Sequence, residues 1–178
     1  MNHLEQIVGE WYEYSGNFVR RNILVGKRSN GGYEGELDIV AFNPQTDHLV
    51  HIEPSLDADA CGRREERFSK KFELGKKYIP ELFSGIAMPD QIDQIALFVF
   101  GSNANHQQVG GGIVATAAEF YAVVTEGLAG KRVAKAAVPE QYALLRTAQH
   151  CLEYSDAMTS GVSSNNAFQS TLRFAARG

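Results

Sequence analysis

Glu36-Leu37-Asp38-Ile39-Val40-Ala41-Phe42-Asn43-Pro44-Gln45-Thr46-Asp47-His48-Leu49-Val50-His51-Ile52-Glu53-Pro54-Ser55 is the stretch that decides the reading of this chain. Two alternating runs flank a Pro/Asn/Asp cluster, the pattern of an antiparallel hairpin with a short loop. With Pro44 to Asp47 as the loop, Asn43 faces His48, Phe42 faces Leu49, Val40 faces His51, Asp38 faces Glu53 and Glu36 faces Ser55. Side chains alternate along a strand, so these residues share one face. The other face carries Leu37, Ile39, Ala41, Val50, Ile52 and Pro54 and is expected to lie on a core. The first face is apolar near the turn and acidic away from it.

That acidic end has a physical cost. Two carboxylates ~5 Å apart repel by roughly 3 kcal/mol at an effective dielectric near 20, and like charges directly opposite one another weaken a sheet. Glu36, Asp38 and Glu53 therefore need a neutralising partner: a divalent metal, a nearby Arg or Lys, or a shared proton. Carboxylate oxygens suit Mg²⁺ or Mn²⁺ rather than zinc, which prefers His and Cys.

Gly35 to Ala41, followed by Leu49 to Ser55, resembles the core of the PD-(D/E)xK nuclease superfamily. This is the restriction-endonuclease-like fold, shared by Holliday-junction resolvases and many restriction and repair nucleases. Asp38 matches the family's metal-binding Asp, and Glu53 matches the acidic residue of the (D/E)xK half. Ser55 stands where that motif has its catalytic Lys, a departure that bears directly on catalysis. The resemblance implies an α/β protein with an αβββαβ core, a mixed sheet flanked by helices, over roughly residues 4 to 101. C-terminal helical additions, about 113–178, lie outside it.

The resemblance also implies a site. Asp38 and Glu53 would hold Mg²⁺ (or Mn²⁺), with the main-chain carbonyl of Pro54 as a further ligand. Glu36, one strand step from Asp38, would bind directly or through water. A first-helix acid is common in resolvase-like members, and here Glu10 is preferred to Glu5 and Glu13. Lys71, reaching in from the following helix, is the first candidate to replace the missing motif Lys, and Arg64 is the second. The expected catalytic group is thus Asp38, Glu53, Ser55 and Lys71. The competing reading has Arg64 and Lys71 pairing with the acids as a structural salt-bridge cluster. His51, on the acidic face near Asp38, is read as a polar face residue, with a donor supporting the acids or a base as the alternatives.

The function this implies is metal-dependent phosphodiester hydrolysis acting on DNA, in restriction or repair. The alternative is a catalytically degenerate member that keeps the fold as a nucleic-acid or protein binding module. A third reading leaves only an α/β domain with a structural ion-pair cluster. A homodimer, or a partner protein that supplies specificity, would fit the first two.

Composition narrows the class. The 178 residues suit one domain, with 44% hydrophobic and 21% charged residues, as in ordinary soluble proteins. Cys61 and Cys151 form neither a disulfide framework nor a metal spacing, which points to an intracellular, cytoplasmic protein. The start of the chain lacks the basic and apolar regions of a signal peptide, and no apolar run approaches ~20 residues, so no membrane span is expected. A net charge of −4 argues against nucleic-acid binding by the whole surface but allows a local basic groove. Arg20, Arg21, Lys27 and Arg28 form one cluster; Arg63, Arg64, Arg67, Lys70, Lys71, Lys76 and Lys77 form a second, diluted by Glu65, Glu66 and Glu73.

The remaining elements follow from periodicity. Leu4 to Tyr14 reads as a helix capped by Gly16, and Phe18 to Val25 as a strand. Asp59 to Phe83 reads as a long helix with Phe68, Phe72, Gly75, Ile79 and Leu82 inward, and Pro80 near its end. Lys71 points about 60° to one side of that stripe and Lys70 points away. Gln94 to Phe100 is a continuously apolar, central strand. Ser102 to Gly112 reads as a flexible connection that matches no phosphate-binding fingerprint. Thr116 to Leu128 is a helix, Arg132 to Val138 an edge strand, and Glu140 to Tyr154 a helix opened by Pro139.

Overall fold

The computed structural model describes residues 2–56, 61–83, 85–99, 107–135 and 137–160. Expectations for the rest of the Ser102–Gly112 connection, for Asp59 and Phe100, and for 161–178 lie outside these residues. The elements are α1 (His3–Tyr14), β1 (Phe18–Lys27), β2 (Tyr33–Asn43), β3 (His48–Ser55), α2 (Cys61–Tyr78), β4 (Asp93–Phe98), β5 (Gln108–Val109), β6 (Gly112–Thr116), α3 (Ala117–Leu128), α4 (Ala143–Glu153) and α5 (Ser155–Ser160). The chain is α/β, with a six-stranded mixed sheet in the order β1-β2-β3-β4-β6-β5. β1, β2 and β3 pair antiparallel, β4 joins β3 in parallel, and β6 joins β4 in parallel.

The hairpin forms in the expected register. Asn43 pairs with His48, Phe42 with Leu49, Val40 with His51 and Ile39 with Ile52. The Asn43 side chain accepts from the N–H groups of Gln45 (2.9 Å) and Thr46 (3.3 Å), and Asp47 takes the left-handed conformation at φ 52°. Both are jobs that short polar side chains do in turns. Asn2 and Glu5 make a reciprocal capping box at the start of α1.

Helices cover both sides of the sheet. On one side Leu4, Ile7 and Val8 of α1 pack on Ile39, Ala41, Val50, Ile52 and Leu97. α3 and α4 extend this layer through Val124, Leu128 and Leu145, with Trp11 and Tyr14 against them. On the other side α2 crosses from β3 to β4, laying Phe68 and Phe72 on Ala96 and Phe98. Near the hairpin turn, Phe42 and Leu49 meet Ile79 and Phe83.

Three expectations change. α2 ends at Tyr78 and a 3₁₀ turn, Ile79–Glu81, follows, because Pro80 cannot continue the α-helical ladder. The connection before α3 contains the β5–β6 hairpin, turned by Gly110 (φ 57°) and Gly111 (φ 85°). The described residues between Arg132 and Val138 form no strand; they hold a 3₁₀ turn, Val133–Lys135, and α4 begins only at Ala143. Among the described residues no helix is long and apolar enough to cross a membrane.

Candidate functional site

The ladder between β2 and β3 stops at Ile39–Ile52. Asp38 and Glu53, expected to continue it, instead mark the point where the two strands part. β3 goes on with β4, pairing Glu53 with Ala96 and Ser55 with Phe98. β2 stays with β1. Where the ladder ends, the Glu53 carboxylate accepts the Asp38 backbone N–H at 3.2 Å. The gap becomes a cleft of about 330 Å³, lined by Asp38, Glu53, Pro54, Ser55, Arg67 and Lys71 and closed at one side by Asn2 and Glu5.

Lys71 comes in from α2. Its ammonium donates to Asp38 Oδ2 at 2.8 Å and to Glu53 Oε2. The sideways direction read from the helical wheel is the direction that brings it there. Burial works against the ammonium, but the charges of Glu53 and Asp38 outweigh it and raise the Lys71 pKa above the ordinary lysine range. Asp38 is pushed up to about 7, by burial first and then by hydrogen bonding and repulsion with Glu53, with Lys71 pulling the other way. The two carboxylates therefore share a proton, an ammonium or another cation, as their spacing requires.

His51 is more than a face residue. It is fully buried, and its Nε2 lies 2.7 Å from Glu53 Oε1. Gln94 of β4 donates from Nε2 to the Phe72 carbonyl at 2.8 Å and faces His51 Nδ1 at 3.4 Å. A donor at Nδ1 leaves the ring proton on Nε2, so His51 donates to Glu53. Burial, and then the nearby Lys71 charge, depress the His51 pKa to about 3, which keeps the ring neutral. α2 approaches this ring through Gly75: a Cβ there would overlap His51 Nδ1. The inward glycine thus makes room for the histidine that orients Glu53.

Ser55 is buried and accepts from Arg67 Nη2 at 3.0 Å. Ser55 is therefore covered by a cation from the next helix, one turn before Lys71. Arg64, the second choice to replace the lysine, lies instead over the Phe98 ring, 4.7 Å from its centroid. Arg67 had been visible only as one member of a basic cluster.

Two expected members of the acidic group are elsewhere. Glu36 is exposed and pairs with Leu24 on β1. The alternation of β2 shifts at Asp38, opposite Asn22, whose φ is 51°. Leu37 consequently joins Val40 and Phe42 on the α2 side, and Glu36 is turned off the face that holds Asp38. Glu10 is 3% exposed, and its Oε2 accepts the N–H groups of Leu144 and Leu145, each at 2.9 Å. It caps the first turn of α4, where backbone donors favour an anion. Glu13 pairs with Arg21 at 2.8 Å. The first-helix acid that lines the cleft is Glu5.

The first basic cluster is dispersed: Arg20 donates to the Leu82 carbonyl and Arg21 meets Glu13. Among the described residues no group of three or more His, Cys, Asp or Glu side chains is arranged to hold a metal ion. The site has two acids facing the cleft floor, with a lysine between them. No protein family, curated protein or solved structure matches the chain.

Proposed function

We propose that this chain is a metal-dependent phosphodiester hydrolase acting on DNA, built on a restriction-endonuclease-like core. The observation that carries the reading is the convergence of Asp38, Glu53 and Lys71 in one cleft at the parted ends of β2 and β3. The donor chemistry fits Mg²⁺ or Mn²⁺: Asp38 and Glu53 offer hard oxygens, and Pro54, whose carbonyl the resemblance adds, lines the same cleft. When bound, such an ion supplies a Lewis acid and a more acidic water.

The chain's own residues have distinct tasks in this reading. His51 and the Asp38 N–H hold Glu53 in one orientation. Lys71, on a flexible stem, orients the attacking water and offsets charge on the phosphorane. Ser55 carries no charge and acts through Arg67. Restriction or repair is the setting the resemblance suggests, with a second copy or a partner supplying specificity.

One feature favours a second reading. Lys71 already satisfies both carboxylates as a closed ion-pair group, as it would in a degenerate member that only binds nucleic acid or protein. Cleavage of plasmid and branched DNA with Mg²⁺ or Mn²⁺ separates the two. Cutting that disappears in Asp38→Ala is the expected result. A folded wild type that cuts no substrate in either metal would leave the binding module.

A further inference from the structure

We infer, resting on the metal-dependent reading above, that Lys71 is a placeholder for the metal: in the resting protein its ammonium holds Glu53 Oε2 and Asp38 Oδ2, and it yields both oxygens when a divalent ion binds. The two oxygens of Glu53 have separate partners. Oε1 lies 2.7 Å from His51 Nε2 and accepts the Asp38 backbone N–H at 3.2 Å. Oε2 accepts from Lys71, whose ammonium also donates to Asp38 Oδ2 at 2.8 Å. The pair of oxygens that brings both carboxylates onto one cation is therefore Glu53 Oε2 and Asp38 Oδ2, and Lys71 occupies it.

The three partners of Glu53 are unequally able to leave. The Asp38 N–H is backbone. The His51 ring is fully buried, stands edge-on to Phe72 with centroids 5.5 Å apart, and is backed by Gly75. Lys71 has 29% of its side chain exposed and lines the cleft of about 330 Å³ on a flexible four-carbon stem. Of the three contacts, the one made by Lys71 opens on the cleft. Charge sets the direction of exchange. The ammonium offsets one of two carboxylate charges, whereas a divalent ion offsets both. An ammonium and a divalent ion on the same two oxygens repel each other, so they alternate rather than coexist. Once displaced, Lys71 stays in the cleft that Pro54 and Ser55 also line, with three N–H donors to offer an approaching phosphate. The closed ion pair and the working site are then two states of one cleft.

The test is calorimetric titration of Mn²⁺ into the full chain, without DNA, for the wild type and Lys71→Met. Lys71→Met is expected to bind Mn²⁺ about tenfold more tightly, because no ammonium has to leave and the competent fraction of sites rises. A second measurement uses the wild type alone. Acetylation of Lys71 by an amine-reactive reagent, read by mass spectrometry, is expected to rise with Mn²⁺ along the calorimetric saturation curve. The neighbouring, exposed Lys70 should react at one rate throughout. The labelling needs no variant, so it decides if Lys71→Met does not fold. Equal or weaker Mn²⁺ binding by folded Lys71→Met would overturn the exchange, as would Lys71 labelling that bound Mn²⁺ leaves unchanged. Either result leaves the metal-dependent hydrolase standing. A wild type that binds no Mn²⁺ would overturn the hydrolase together with the exchange.

Discussion

Two buried glutamates lie on opposite sides of one sheet, and they do different work. Glu10, on α1, is 3% exposed, and its carboxylate accepts two backbone N–H groups of α4 and the Gln6 amide. Glu53, on β3 beneath α2, is 1% exposed and is held by His51, the Asp38 N–H and Lys71. Glu10 is surrounded by partners that cannot leave. One of the Glu53 partners, Lys71, is an ionisable side chain that lines the cleft, so that contact can be exchanged. Burial alone does not mark a chemical site; the mobility and charge of the partners do.

The largest effect expected from this contrast is on Glu53. For the hydrolase proposed above, Glu53→Gln would remove a charge worth several kcal/mol to a metal-assisted transition state, so cleavage should fall on the order of a thousandfold, while the fold persists. Retained cleavage would make Glu53 as structural as Glu10. Glu10→Ala should do the reverse. It leaves two N–H groups at the start of α4 without their acceptor and should cost about 3 kcal/mol in denaturant unfolding. Cleavage per folded molecule should stay at the wild-type level, and a specific loss there would bring Glu10 back to the site.

Gly75→Ala sharpens the comparison at one remove. Alanine gains about 1 kcal/mol of helix propensity, but its methyl overlaps the His51 ring, and overpacking costs about 1–3 kcal/mol. A net loss of up to about 2 kcal/mol is expected, with weakened Mn²⁺ binding by calorimetry, since the displaced ring no longer holds Glu53. A stabilised variant with unchanged metal affinity would separate His51 from the site.

The smallest effect is the pH dependence of stability. His51 titrates near 3 when folded against an ordinary 6.5, so the stability it contributes is present above 6.5 and lost as pH falls toward 3. Asp38 titrates near 7 when folded against 3.8, so its contribution is present below 3.8 and lost as pH rises toward 7. Between 3.8 and 6.5 the two slopes oppose, each approaching about 1.4 kcal/mol per pH unit. Urea midpoints of the wild type should be nearly flat there. In Asp38→Asn they should climb with pH, because burial, the first cause of the His51 shift, remains. Equal slopes in the two proteins would refute this balance.

Much of the fold was legible in the sequence. Alternation and turn chemistry between Glu36 and Ser55 set the hairpin register as far as Ile39–Ile52. Helical periodicity placed α1 and α2 and aimed Lys71 toward the acidic face. The proximity of Asp38 and Glu53 also followed from this local geometry. The sheet order was less legible. The β5–β6 hairpin is short and Gly-rich, and nothing local indicates that β6 lies beside β4.

Sequence by itself determined which way side chains point along α1, α2 and the β2–β3 hairpin from Ile39 to Ile52, because the periods of 2 and 3.6 are local properties of the backbone. Only the tertiary structure decided where the β2–β3 ladder ends, how Asn22 turns Glu36 off the acidic face, that Glu10 caps α4 from 134 residues away, and that Arg67 covers Ser55. These depend on pairings between distant segments. Their outcome is a competition among partners for the same buried donors and acceptors, and a single strand or helix carries no record of its competitors.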